Sequence, residues 1–322
     1  MIVLMDERMD EGGSEEFVKS LRQEFQDVEF RTGRTNEDLE KEVPFANVYY
    51  GMPWQPLVEQ GQLLRWVHFP ATGIDGLTFG DIDLVDRNIV VTNCRGPHAS
   101  SMADHAIGVM VMLAHQLHEM WGDQKNSHWD RSKYIGRQVE ISGKLMGLVG
   151  VGDIGMSIAR RAHGFDMEIY AVDKNTEPRK PYIQEVWDPE RIDDLMQISD
   201  WLVVAAPLTK ETIGLIDRRR INLLKEDSCV IVMSRGKIVD ENALADALRE
   251  GHLAGAAIDA FAEEPVPPGS PLWDVNNLII TPHMSGATPE LTEGRREIFR
   301  ENLRRFISGE PFLYVPDLRA GY

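Results

Sequence analysis

The sequence predicts an α/β protein built as two doubly wound parallel-sheet lobes, and three observations carry that expectation. At 322 residues the chain is long enough for about two domains of roughly 150 residues each. Its first 93 or so residues alternate short apolar strands with helical patterns, as an α/β lobe requires. From Lys144 onward the strand candidates become near-continuous apolar runs, the pattern of a parallel sheet covered on both faces.

Composition bounds the function. A 43% hydrophobic content is ordinary for a globular chain. The net charge of −18, from 52 acidic and 34 basic side chains, argues against a nucleic-acid partner, whose phosphates need a basic footprint. An acidic field also repels anionic ligands, so an anionic substrate has to be met by local cations or amides. Cys94 and Cys229 are far apart and lack metal-ligand spacing, so no metal and no disulfide framework is expected, and a reducing compartment fits best. No apolar run approaches the ~18 residues of a membrane span; the best candidate, 102–117, is interrupted by Asp104, His105, His115 and Gln116. A soluble cytoplasmic protein with no membrane partner is the expectation.

In the first lobe, strands are expected at 1–4, 28–30, 47–50, 66–69 and 89–93. Between the first two, Ser14 as N-cap, Glu15 and Glu16 in the first turn, and Phe17, Leu21 and Phe25 on one face predict a helix over 15–25. The loop 70–76, Pro-Ala-Thr-Gly-Ile-Asp-Gly, follows a strand end and offers amides to a carboxylate. Tyr49, Tyr50, Met52 and Trp54 either border a pocket or belong to the core. A long helix capped by Ser100 or Ser101 and running through Met120 has a broad apolar face of Met102, Ala106, Val109, Met110, Leu113 and Leu117, suited to a core or another subunit. Residues 122–143 are polar, include Trp129, and read as an arm or linker.

In the second lobe, strands are expected at 145–149, 168–172, 201–206, 229–233, 254–258 and 278–280. The first runs into Gly150, Gly152 and Gly155 of a G-x-G-x-x-G pattern. The first glycine permits a tight turn, the second lets a pyrophosphate approach the backbone, and the third lets the next helix pack on its strand. The phosphates are expected on the amides of Asp153 and Ile154 at a helix N-terminus. Such a pattern alone is weak, but Asp173 ends the next apolar run eighteen residues beyond Gly155, where an adenosine ribose would be held. A final helix over 289–308 has Thr288 as N-cap, Pro289 at its first position and Gly309 as stop.

Ligands of such sheets bind beyond the carboxyl ends of the strands. Arg235, Asp259 and His283 follow three consecutive strands, and Glu264 comes just after Asp259. Arginine before glycine is by itself more often a loop ion pair, and a histidine at a strand end more often a hydrogen-bonded loop residue. Together these side chains suit hydride transfer to a 2-oxo acid. Arg235 grips a carboxylate bidentately and polarises the carbonyl. His283 supplies the proton, and Glu264 on the far ring nitrogen favours the imidazolium. Asp259 is placed to hold the nicotinamide carboxamide.

At these residues the chain resembles the D-isomer-specific 2-hydroxyacid dehydrogenase family over nearly all its length, through LVGVGDIG (148–155), VVAAPLTKET (203–212), SRGKIVDE (234–241), DAFAEEP (259–265) and TPHMSGAT (281–288). The resemblance implies an α/β fold with a Rossmann NAD-binding domain (98–288) inserted in a smaller flavodoxin-like substrate domain (1–97 and 289–322). It implies that Arg235 orients substrate and that Glu264 and His283 form the acid/base pair. Asp259, Ala206, Pro207 and Met233 would contact the cofactor, and amides near Thr72 and Gly73 would receive the substrate carboxylate. A homodimer through the 101–121 helix is also implied. Leu64-Arg65-Trp66 and the Pro-His-Met-Ser-Gly run look most like the glyoxylate/hydroxypyruvate reductase branch, so the substrate expected is a small 2-oxo or 2-hydroxy acid. Met102-Ala103-Asp104 departs from the usual Val-Ala-Glu, and Ala260 from the usual valine. Asp173 would repel a 2′-phosphate, which favours NAD, while Lys174, Arg179 and Lys180 leave NADP possible. Two rivals stay open: formate oxidation, whose enzymes pair the histidine with glutamine where this chain has Glu264, and a dinucleotide-sensing scaffold without turnover.

Overall fold

The computed structural model describes residues 1–9, 14–79, 82, 84, 87–177 and 182–321. They fall into two units, Met1–His98 with Ala287–Tyr322, and Ala99–Gly286.

The first unit carries strands β1 (Ile2–Asp6), β2 (Glu29–Gly33), β3 (Val48–Tyr50), β4 (Trp66–Phe69) and β5 (Val90–Asn93). They pair in parallel in the order β2-β1-β3-β4-β5, a doubly wound arrangement. β3 and β4 are buried throughout, as apolar strands inside a parallel sheet must be. The helix Ser14–Glu24 buries Phe17, Val18 and Leu21; Ser14, expected as its cap, is its first residue. Thr35 closes a capping box on the helix Asn36–Glu42, its hydroxyl accepting from the Asp38 amide while the Asp38 carboxylate accepts from the Thr35 amide, so two amides that the helix leaves unpaired are satisfied.

The long C-terminal helix Pro289–Ser308 belongs to this unit. Thr288 caps it by accepting from the Leu291 amide at 3.2 Å, and Gly309 ends it in a left-handed conformation at φ 71°, as Thr, Pro and Gly at those places dictate. Its Phe299 is completely buried and sits between aromatic rings, with centroids 4.9 Å from Tyr50, 5.2 Å from His68 and 5.5 Å from Trp66. Burying such a ring contributes about 1.5–3 kcal/mol, so residues more than two hundred positions apart share one core.

The second unit carries β6 (Leu145–Val149), β7 (Glu168–Val172), β8 (Glu185–Trp187), β9 (Trp201–Val204), β10 (Ser228–Val232), β11 (Leu253–Ile258) and β12 (Leu278–Ile280). All pair in parallel, in the order β12-β11-β10-β9-β6-β7-β8. Six strands were expected and seven are present among the described residues. The extra one, β8, is a three-residue edge strand opening on an exposed glutamate, too short to show a pattern. The winding reverses between β6 and β9, which defines the switch point of a Rossmann sheet.

The helix expected from Ser100 or Ser101 to Met120 is two helices. The first, His98–Ala114, buries Ala103, Ala106, Val109, Met110 and Leu113, and these pack with Met146, Leu148 and Ile231 of the sheet. Gln116 then turns left-handed at φ 56°, and a second helix, Leu117–Lys125, follows. Leu117, expected on the apolar face, is exposed as a result. In the segment 122–143, Lys133 and Tyr134 both bind the Asp123 carboxylate, and Trp129 is 95% exposed. No helix among the described residues is long and apolar enough to cross a membrane.

One buried polar group in the first unit gives the fold a pH dependence. His68 is fully buried on β4, with Nδ1 2.8 Å from the Thr92 hydroxyl, which also accepts from Trp66 Nε1 at 2.8 Å. Burial pushes the imidazole down to about 3, because charging it in an apolar core is costly. The folded value lies below the unfolded one, so the unfolded chain binds the extra proton between them; stability is complete above about pH 6.5 and falls as pH drops toward 3. Between pH 7.5 and pH 5 this group should remove about 2 kcal/mol from the urea-unfolding free energy, and His68→Gln should flatten that dependence. A variant as acid-sensitive as the parent would assign the effect elsewhere.

Candidate active site

β6 ends at Val149 and the chain turns at Gly150, whose φ is +93°. A Cβ there would lie 2.7 Å from both the Cα and the nitrogen of Ala206, just beyond β9. A Cβ at Gly155 would lie 2.2 Å from the Gly150 carbonyl oxygen. Both positions therefore require glycine for close backbone approach. Gly152 differs: it is the N-cap of the helix Asp153–His163, and a Cβ there would meet nothing within 4 Å. The backbone thus faces open space at the positive end of a helix that starts with Asp153, Ile154 and Gly155, where a pyrophosphate fits. Asp173, immediately after β7, is fixed beside this turn. Its Oδ2 accepts from the Val151 amide at 2.6 Å and its Oδ1 from the Asn175 amide at 2.8 Å. Lys174 pairs with Glu211; Arg179 and Lys180 lie outside the described residues. Ala206 and Met233 are buried beyond β9 and β10, and Pro207 is exposed between Ala206 and Leu208. These residues fit a dinucleotide.

The next three strand ends carry the side chains expected to do the chemistry. Arg235 follows β10, Asp259 follows β11 and His283 follows β12, and these strands are neighbours. Arg235 donates from Nη1 to the Ser234 carbonyl at 3.0 Å. His283 is held left-handed at φ 53°, a conformation costly for a non-glycine residue and typically found where surrounding contacts impose it. Asp259 imposes it here. Oδ1 accepts from the Thr281 hydroxyl at 2.5 Å and the Met284 amide at 3.0 Å, and Oδ2 accepts from the Ser285 amide at 3.0 Å. Burial works against the charge of Asp259, yet hydrogen bonds from Ser285, Thr281 and Met284 outweigh it and hold the carboxyl below its usual range. A nicotinamide carboxamide would have to share a carboxylate already occupied by this turn.

The imidazole of His283 meets Glu264, with Nδ1 2.8 Å from Oε2 and 3.1 Å from Oε1. An ionised carboxylate only accepts, so Nδ1 carries the proton, while Nε2 has no hydrogen-bond partner among the described residues. Glu264 Oε1 in turn accepts from the Phe261 amide at 2.7 Å. Two contacts fix the loop that presents Glu264. A Cβ on Gly236, next to Arg235, would lie 2.0 Å from the Ala262 nitrogen, so only glycine lets the turn after β10 lie against that loop. Glu241 Oε1 accepts from the Ala262 amide at 2.6 Å. Burial and then the neighbouring charges of Glu264 and Asp240 raise the Glu241 carboxyl above its usual range, against the Ala262 hydrogen bond. Sequence reasoning gave Glu241 no role, although it lies in the 234–241 stretch; the signal was an acid directly after the helix-capping Asp240. It also missed His105, whose Nε2 is 3.2 Å from the Thr281 hydroxyl.

In the first unit, the loop after β4 is held at Thr72: its carbonyl accepts from Asn93 Nδ2 at 2.7 Å and its hydroxyl donates to the Cys94 carbonyl at 2.7 Å. Among the described residues, the amides of Thr72 and Gly73 have no hydrogen-bond acceptor. Tyr49 and Tyr50 are core residues, Trp54 donates to Glu40, and Met52 lies over Gly76. No group of three or more His, Cys, Asp or Glu among the described residues is placed to hold a metal ion.

A family model described as the D-isomer specific 2-hydroxyacid dehydrogenase, NAD binding domain, matches residues 107–285. A D-3-phosphoglycerate dehydrogenase of Archaeoglobus fulgidus is 32% identical over 308 residues, covering 92% of this chain and 56% of the relative; the chain thus spans little more than half that protein's length. A glyoxylate reductase of Pyrococcus furiosus is 35% identical over 80% of this chain and 76% of its own. A solved D-isomer specific 2-hydroxyacid dehydrogenase family protein from Aeromonas salmonicida superposes with a TM-score of 0.84 at 26% identity, covering 98% of both chains. With its parallel sheets and glycine turn already described, the chain belongs to the D-isomer specific 2-hydroxyacid dehydrogenase family and carries that family's NAD-binding domain.

Proposed function

We propose that the protein is an NAD(H)-dependent D-2-hydroxyacid dehydrogenase working mainly as a reductase of small 2-oxo acids such as glyoxylate or hydroxypyruvate. The observation that carries this reading is the imidazole of His283, locked left-handed by the Asp259 turn with Nδ1 on Glu264 at 2.8 Å. A nicotinamide held at the glycine turn would supply the hydride. Arg235 grips the substrate carboxylate and polarises the adjacent carbonyl, while amides at Thr72 and Gly73 receive the carboxylate. His283 delivers its Nε2 proton to the oxygen as the new C–H bond forms, and Glu264 balances the imidazolium through Nδ1. Glu264, rather than glutamine, supports this chemistry over formate oxidation. Replacing His283 with alanine should lower turnover on the order of 100- to 10,000-fold with NADH affinity kept. Full glyoxylate or hydroxypyruvate reduction by His283→Ala, followed by NADH absorbance, would remove the residue from the reaction; NADH binding by the parent without turnover of any 2-oxo acid would favour the sensing scaffold.

Cofactor preference follows from Asp173. Its carboxylate sits beside the glycine turn through Val151, where it accepts ribose hydroxyls and repels a 2′-phosphate. The NADH-to-NADPH ratio of kcat/KM should fall by on the order of tenfold in Asp173→Ser. An unchanged ratio would place discrimination elsewhere.

We also propose a homodimer through the 101–121 region. Within it Leu117 and Trp121 are 42% and 57% exposed, apolar side chains that a partner copy would cover. Sedimentation should return twice the chain mass, and a monomer at micromolar concentration would refute the proposal.

A further inference from the structure

The loop at Thr72 and Gly73 is tied to two side chains that no motif in the sequence singles out. We propose that His98 and Arg295 form a positioning relay that holds this loop and sets its affinity for the substrate carboxylate. The proposal rests on the reading above in one respect, that the loop receives that carboxylate.

The donors and acceptors run in one direction. The single proton of the Thr72 hydroxyl goes to the Cys94 carbonyl at 2.7 Å. Toward His98 Nδ1, 2.5 Å away, the hydroxyl therefore accepts, and Nδ1 carries a proton. His98 Nε2 lies 3.0 Å from Arg295 Nη2. A guanidinium only donates, so Nε2 accepts. The line thus reads Arg295 to His98 to Thr72 to Cys94, with the ring neutral and its tautomer fixed from both sides. From the other side Asn93 Nδ2 holds the Thr72 carbonyl at 2.7 Å. Each polar group of Thr72 except its amide is committed, and that amide and the one at Gly73 remain to meet an anion.

The anchors are rigid. Arg295 stands on the helix Pro289–Ser308, fixed by its Thr288 cap and by fully buried Phe299. A Cβ on the adjacent Gly294 would lie 2.8 Å from Pro97 Cβ, so that helix rests against the residue preceding His98. Arg295 Nε is buried and has no acceptor among the described residues, which leaves the guanidinium partly desolvated and strengthens its bond to His98. Since the chain carries a net −18, a cation behind the loop offsets the repulsion an anionic substrate meets. A loop already ordered loses less entropy on binding.

The test uses the NADH-loaded chain with glyoxylate as substrate and oxamate, an unreactive carboxylate analogue, as calorimetric ligand. Arg295→Met should raise both the glyoxylate KM and the oxamate Kd about tenfold. Its kcat should move less than about threefold, with NADH affinity unchanged. Arg295→Lys, which keeps a charged donor, should recover most of the loss, and His98→Phe should reproduce it, so one misfolded variant leaves two others to judge. Unchanged oxamate affinity in Arg295→Met and His98→Phe overturns the relay, as does a parallel fall in NADH affinity. If the parent binds oxamate but reduces no 2-oxo acid, the reductase reading fails while oxamate Kd still judges the relay; if the parent binds no oxamate, the relay fails.

Discussion

The Asp259 carboxylate is the constraint on which the candidate active site depends. It stands at the end of β11, buried, and gathers a hydroxyl and two amides from the turn that follows β12. An ionised group in that position would be costly alone. Three hydrogen bonds offset the burial, and in doing so they force His283 into a backbone conformation it would not adopt unaided. The cost of that conformation places the imidazole edge against Glu264 instead of leaving it on a flexible loop.

Around this centre the molecule repeats one device, an acid whose oxygens are already spent on holding a neighbouring backbone amide. Glu241 holds the Ala262 amide and Glu264 holds the Phe261 amide, while Gly236 lets the Arg235 turn come close enough for the arrangement to exist. Asp173 holds the Val151 amide within the glycine turn. In each case an acid fixes backbone before any ligand arrives. Preorganisation of this kind matters because donors and acceptors that must reorient during reaction lose much of their effect.

What the sequence made legible was local in range. Thr288, Pro289 and Gly309 define the last helix because caps act within one turn. Gly150, Gly152, Gly155 and Asp173 are readable because turn, helix start and next strand follow in order. Continuous apolar runs marked six strands of the second sheet. The seventh, Glu185–Trp187, was too short to show a period, and the break at Gln116 was hidden because its left-handed turn lies inside an otherwise continuous helical pattern. His98 and Arg295 are 197 positions apart, and no composition or spacing signal links residues at that range. Position at a strand end marks Asp259 as a candidate cofactor contact, but it says nothing of the bonds from Thr281, Met284 and Ser285 that the next strand end brings to it.

The charge balance explains why both places proposed to meet an anion are built as they are. In a chain with 52 acidic side chains, a general positive surface cannot recruit a carboxylate or pyrophosphate, and mobile lysines would be drawn to nearby acids, as Lys174 is to Glu211. Backbone amides avoid that competition: they carry partial charge, do not titrate and cannot swing away. The helix start at Asp153 and the Thr72–Gly73 loop both offer them. Where a full cation is used, as at Arg235 or Arg295, the planar guanidinium supplies direction as well as charge, and each is bonded to a neighbouring residue, Ser234 or His98. An acidic protein can thus recognise small anions through groups whose geometry is fixed by the fold.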